Sequence, residues 1–199
     1  MIAIFDYGSG NLRSAQRAFE STGEEVVTTS DVKKARGAKG LVIPGVGAFA
    51  ACMSQLVSAG GFELLQDRAQ SGDAIIGICV GMQILFEKSS EKGTHTGVGI
   101  LKGDVSKLNA AILPQIGWNT VKTSMNSRLF KGVENESFYF VHSFAARANE
   151  TDSLNTTANY GEDFLAAIER GNVSATQFHP EKSGKAGLAL IKNWVNSIK

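Results

Sequence analysis

Hydrophobic and polar positions alternate between two periods along the first half of the chain. Met1–Tyr7 is apolar enough for a buried strand, and Gly8–Asn11 turns it. Leu12, Ala15 and Phe19 then share one helical face. Glu25–Thr29 and Gly40–Ile43 predict two further strands. Beyond Pro44-Gly45-Val46-Gly47, Ala48–Leu56 and Phe62–Ala69 predict helix, interrupted at Gly60-Gly61; Ala74–Ile78 predicts another strand, and Gly81–Lys88 resumes a helical period. Strand, glycine turn and helix repeated in this way build βα units around a mostly parallel sheet.

The second half reads differently. Val98–Leu101, Thr120–Lys122, Ser137–Phe144, Asn155–Tyr160, Phe164–Glu169 and Val173–Phe178 are strand-like, with Gly171-Asn172 as a hairpin turn between the last two. Leu188, Ile191, Val195 and Ile198 give a closing helix with one apolar face. The predicted fold class is therefore α/β: a mostly parallel sheet with helices on both faces and an antiparallel extension. At 199 residues the chain suits a single domain spanning 1–199.

Composition narrows the function. A net charge of +1 gives no electrostatic reason to expect nucleic acid, and no apolar run approaches the roughly 20 residues of a membrane-spanning helix. Two cysteines, Cys52 and Cys79, are too few for a disulfide scaffold, and no secretory leader opens the sequence, so a cytoplasmic location is expected. Spacings such as Cys-x-x-Cys or His-Glu-x-x-His are missing, so neither a metal nor another cofactor is expected.

The strongest local signal is Gly77-Ile78-Cys79-Val80-Gly81, entered from an apolar strand and left through a helical run. A nucleophile between strand and helix must stand on a sharp, strained turn, and glycines two residues before and after it remove the side chains that would collide. Unpaired N–H groups at the helix start favour the attacking thiolate. Cysteine after a strand is by itself more often a small core residue; the paired glycines argue for the nucleophile. Cys52 lies in a helix-like run and reads as core.

A cysteine nucleophile also needs a proton carrier for its leaving group. Of three histidines, His95 sits in a polar turn and His142 within a strand, structural or substrate-facing; His179 ends a strand and precedes Pro180-Glu181. Glu181 can fold back to orient its imidazole. An oxyanion formed at the carbonyl needs two donors: the Val80 N–H at the elbow, and one from the Pro44–Gly47 loop, where Val46 lies between glycines. Those glycines let the Val46 peptide take more than one orientation at low steric cost. A phosphate-binding reading of the loop fails, since Gly45-x-Gly47 lacks both the third glycine of a dinucleotide fingerprint and a Gly-Lys-Ser/Thr ending.

These residues carry a resemblance. Gly77–Gln83 and Gln177-Phe178-His179-Pro180-Glu181-Lys182-Ser183 resemble the class I (triad) glutamine amidotransferases, and Asp6–Leu12, Pro44–Phe49, Ile116–Asn119 and Tyr139–Ser143 are similar to the glutaminase subunits of imidazole glycerol phosphate synthase. The resemblance implies a flavodoxin-like fold, glutamine as substrate, and a separate (β/α)8-barrel cyclase subunit as partner and ammonia acceptor in histidine biosynthesis. It implies Cys79, His179 and Glu181 as the triad. Gly45, Gly47, Gly81, Gln83, His142 and Ser143 would lie around bound glutamine, and Asn11, Trp118, Tyr139 and Lys182 toward the cyclase. Trp118 suits core packing as well. Two other readings stay open: the glutaminase of another synthase, such as the pyridoxal phosphate one, and a non-catalytic domain that kept the elbow.

Overall fold

The computed structural model describes residues 1–147 and 152–198. Its strands are β1 (Ile2–Phe5), β2 (Val26–Thr29), β3 (Gly40–Gly45), β4 (Ala74–Cys79), β5 (Lys88–Ser89), β6 (His95–Thr96), β7 (Asp104–Lys107), β8 (Gln115–Thr120), β9 (Ser137–His142), β10 (Phe144–Ala146), β11 (Leu154–Asn159), β12 (Asp163–Arg170) and β13 (Val173–Thr176). The helices are α1 (Leu12–Glu20), α2 (Val32–Arg36), α3 (Phe49–Ser58), α4 (Gly61–Ser71), α5 (Val80–Gln83) and α6 (Gly184–Ser197), with a 3-10 turn at Pro180–Lys182.

Seven strands form the central sheet in the order β11-β12-β13-β4-β3-β1-β2. From β2 to β13 all pairings are parallel, and β13-β12-β11 is antiparallel. The expected α/β class, parallel core and antiparallel extension are all present. Strands β1, β3 and β4 are buried almost throughout, as near-continuous apolar runs in a doubly covered parallel sheet should be. Arg170 pairs Val173 across the two-residue turn expected at Gly171-Asn172, and Gly171 supplies the positive φ of 56°. In register, Gly45 lies opposite Cys79 and Thr176 opposite Ile78. The Pro44–Gly47 loop, the elbow and the segment leading to His179 therefore leave the sheet at one rim, the carboxyl edge where open α/β sheets bind ligands.

Several elements differ from expectation. The helix predicted over Gly81–Lys88 is one turn, because the carbonyls of Ile84, Leu85 and Phe86 accept instead from Val98, Leu101 and Gly99 at 2.8, 3.0 and 3.1 Å. That pairing also means that Val98–Leu101 is not a strand. Helix α2, at five residues, is too short to show a period in the sequence; its start is marked by Asp31, which accepts from the Lys33 and Lys34 amides. The strand expected over Ser137–Phe144 breaks at Ser143 into β9 and β10, and β8 begins at Gln115, well before Thr120. On α6 Leu188 is exposed; Leu190, Ile191, Trp194 and Val195 make the buried face, with Trp194 edge-on to Phe19 of α1. Among the described residues no helix is long and apolar enough to cross a membrane.

Candidate active site

Cys79 ends β4 with φ 56° and ψ −115°. A non-glycine residue held there costs about 1–3 kcal/mol, strain that persists only when its surroundings enforce it. The flanking glycines show how. A Cβ on Gly77 would meet the Gly81 carbonyl oxygen at 2.6 Å, and one on Gly81 would lie 1.9 Å from the Ile43 carbonyl oxygen. The turn therefore closes against its own strand and against β3, leaving the cysteine side chain at the rim. Val80 opens α5, so its N–H has no acceptor within the helix.

His179 follows β13, two strands' width from Gly45 across the same rim. Its Nδ1 lies 2.7 Å from Glu181 Oε1, and both side chains are 3% exposed. Burial works against a charged imidazole, but the neighbouring Cys79 sulfur and the bonded Glu181 carboxylate outweigh it and push His179 up to about 9. The segment is held from below: the Ser183 hydroxyl donates to the His179 carbonyl at 2.7 Å, and the His179 N–H donates to the Tyr139 carbonyl at 2.9 Å. At neutral pH the His179 ring is thus held in its charged form, with the Glu181 carboxylate against its Nδ1.

The opposite wall is the Pro44–Gly47 loop. The Val46 N–H donates to Ser9 Oγ at 3.1 Å, and the Val46 carbonyl lies within bonding distance of the Ser9 hydroxyl (3.0 Å) and the Cys52 thiol (3.2 Å). Tyr7 donates its hydroxyl to the Pro44 carbonyl at 2.6 Å. Cys52 is buried, as expected of core, but its thiol also touches this loop, and burial pushes it up. Gly47 has φ 90° with open space around it.

Between the walls lies a cavity of about 270 Å³. Cys79, Val80, Val46 and His179 line it, as do Gly47, Gln83, His142 and Ser143 of the residues expected around glutamine. Gly45 and Gly81 are not in its lining. They sit back to back, where a Cβ on Gly45 would come within 2.4 Å of the Gly81 nitrogen, and so set the approach of β3 to the elbow. The His142 ring donates from Nδ1 to the Phe144 carbonyl at 3.0 Å; burial lowers its pKa to about 4, leaving a neutral ring whose buried Nε2 has no partner among the described residues. Glu91, in a polar stretch that gave no sequence signal, also lines the cavity, and its Oε2 accepts the Phe49 N–H at 2.8 Å, capping α3 in place of Ala48.

Trp118 and Tyr139 face each other across β8 and β9, with ring centroids 6.1 Å apart. Trp118 is 59% exposed, which removes the core reading. Lys182 stands exposed on the 3-10 turn, and exposed Asn11 accepts from the Ser14 N–H at 3.3 Å to cap α1.

Chemically the arrangement suits covalent acyl transfer, in which a thiolate opens an amide while an oriented imidazolium supplies the leaving group with its proton. The chain belongs to the family described as glutamine amidotransferase class-I, which matches residues 3–198. The imidazole glycerol phosphate synthase subunit HisH of Mycobacterium bovis is 50% identical over 201 residues, covering 99% of this chain and 98% of the relative. HisH of Corynebacterium glutamicum is 49% identical over 207 residues with the same coverage. A solved glutamine amidotransferase superposes with a TM-score of 0.80 at 18% identity, covering 99% of this chain and 98% of that one. PurLQS from Thermotoga maritima gives 0.73 at 20%, covering 100% and 98%. At those identities the structural likeness speaks for the fold.

Proposed function

We propose that this chain is the glutaminase subunit of an imidazole glycerol phosphate synthase, working as one domain and passing ammonia to a (β/α)8-barrel cyclase for histidine biosynthesis. The observation that carries the chemistry is the strained Cys79 elbow beside the buried His179–Glu181 pair. Cys79 thiolate attacks the side-chain carbonyl of glutamine, and the Val80 N–H meets the oxyanion. His179 gives its proton to the departing nitrogen, ammonia leaves, and a thioester remains. The neutral imidazole then takes a proton from water as it attacks the thioester; collapse expels Cys79 thiolate and frees glutamate.

The second oxyanion donor is withheld. With its N–H bound to Ser9, Val46 offers nothing to the carbonyl oxygen, and a missing donor costs roughly 3 kcal/mol, on the order of 100-fold in rate. Ammonia made without an acceptor would escape, so this defect serves a coupled reaction. The cyclase docks over Asn11, Trp118, Tyr139 and Lys182; exposed Trp118 is the kind of aromatic anchor such an interface uses. Docking and nucleotide binding turn the Val46 amide inward only through contacts that differ between the two loop states.

The test is treatment with an electrophilic glutamine analogue followed by mass analysis, together with glutamate release in mixtures with candidate synthases. A mass shift confined to Cys79 and stimulation by the cyclase are expected. No labelling would remove the nucleophile assignment, and stimulation by a pyridoxal phosphate synthase instead would move the chain to that partner.

A further inference from the structure

Behind the nucleophile lie two buried glutamines that the mechanism above does not use for chemistry: Gln177 has no exposed surface, and Gln83 is 4% exposed. Gln83 Nε2 lies 2.8 Å from the Phe144 carbonyl oxygen and 2.9 Å from Gln177 Oε1. Gln177 Nε2 lies 3.9 Å from Cys79 Sγ. An amide's oxygen and nitrogen can be told apart only by their partners, and here one carbonyl decides the whole chain of contacts. The Phe144 oxygen can only accept, so the Gln83 group facing it is the NH2. The second N–H of that NH2 needs an acceptor, so the Gln177 group facing it is the oxygen. The end of Gln177 left facing the sulfur is then the NH2.

We propose that Gln177 is a hydrogen-bond donor to the Cys79 sulfur, with Gln83 as the positioning residue that fixes which end of its amide faces the nucleophile. This rests on the glutaminase reading. A donor at sulfur favours thiolate over thiol, and it acts twice in the cycle: when the thiolate is formed for attack, and when it is expelled as the thioester is hydrolysed. It also explains why two amide side chains are buried beneath the elbow where apolar residues would pack with no polar groups to satisfy.

The whole protein is tested by iodoacetamide alkylation as a function of pH, with mass analysis confined to the Cys79 peptide so that Cys52 does not contribute. Gln177→Met keeps the length of the side chain and removes the donor. Its alkylation midpoint is expected to move up by about one pH unit, a tenfold loss of thiolate at a given pH, as befits a hydrogen bond to a charged group. Glutamine kcat should fall with KM unchanged. Gln83→Met leaves Gln177 in place but frees its amide to turn, and should move the midpoint in the same direction by less; this second variant carries the test if Gln177→Met does not fold. Midpoints equal to wild type with only a lowered melting temperature would reduce both glutamines to packing and overturn the proposal. Failure of the glutaminase reading shows separately, as wild-type protein that the electrophilic glutamine analogue does not label.

Discussion

The two walls of the cavity are built to different standards. On the β4 and β13 side, the elbow is closed by glycine-on-backbone packing, His179 and Glu181 are 3% exposed and 2.7 Å apart, and the sulfur has protein groups on several sides. On the β3 side, Val46 is 43% exposed, Gly47 meets open space, and the Val46 N–H, the oxyanion donor proposed above, is occupied by a serine hydroxyl. On the proposed function, the nucleophile is assembled before substrate arrives, whereas transition-state stabilisation is left incomplete. Such a division would let the proposed cyclase partner control turnover by completing one hydrogen bond without rebuilding the triad.

The comparison can be broken on its rigid side first. Cys79→Ala should abolish glutamine turnover, a loss on the order of a millionfold for a nucleophile, while circular dichroism and melting stay near wild type. His179→Ala should approach that loss. Glu181→Gln should cost on the order of a hundredfold less, since it weakens orientation and leaves the proton carrier in place; acylation rates for the two variants separate these roles. On the β3 side, Ser9→Ala removes the group that holds the Val46 N–H, and the isolated chain should gain several-fold in basal kcat, up to roughly 100-fold if the amide turns fully inward.

The smallest effect is on stability. His179 is raised in the folded state from an ordinary value near 6.5 to about 9. Its contribution is therefore fully present below about pH 6.5 and is lost as pH rises through about 9. Denaturant midpoints should fall across that window in wild type and fall less in Glu181→Gln, where one of the bonds favouring the charged ring is weakened. NMR titration of the ring gives the same result directly, with a midpoint near 9 that drops in the variant.

Much of the rigid wall was legible in the sequence, because sterics forced it: Gly77 and Gly81 are the residues that a cysteine at positive φ between strand and helix requires, and Pro180 keeps Glu181 within reach of His179. The parallel half of the sheet was equally plain from its buried apolar runs. Contacts set by long-range hydrogen bonds were not. Nothing local in Val98–Leu101 says that its amides will take the carbonyls of residues 84–86 and cut a helix to one turn. Glu91 carries no local signal in its polar stretch; only the fold places it in the cavity and against α3. Ser9 was visible only as part of a glycine turn, and its hold on Val46, 37 residues away, exists only once β1 and β3 lie side by side.

The central claim, a complete triad facing an incomplete oxyanion site, is tested most directly by glutamine turnover measured three ways: with this chain alone, with the cyclase, and with the cyclase plus its nucleotide. The account predicts slow hydrolysis by the chain alone and a rise on the order of 100-fold with nucleotide present, expressed in kcat, because the Val46 donor acts on the transition state. Equal rates in all three mixtures, or a nucleotide effect confined to glutamine affinity, would contradict it.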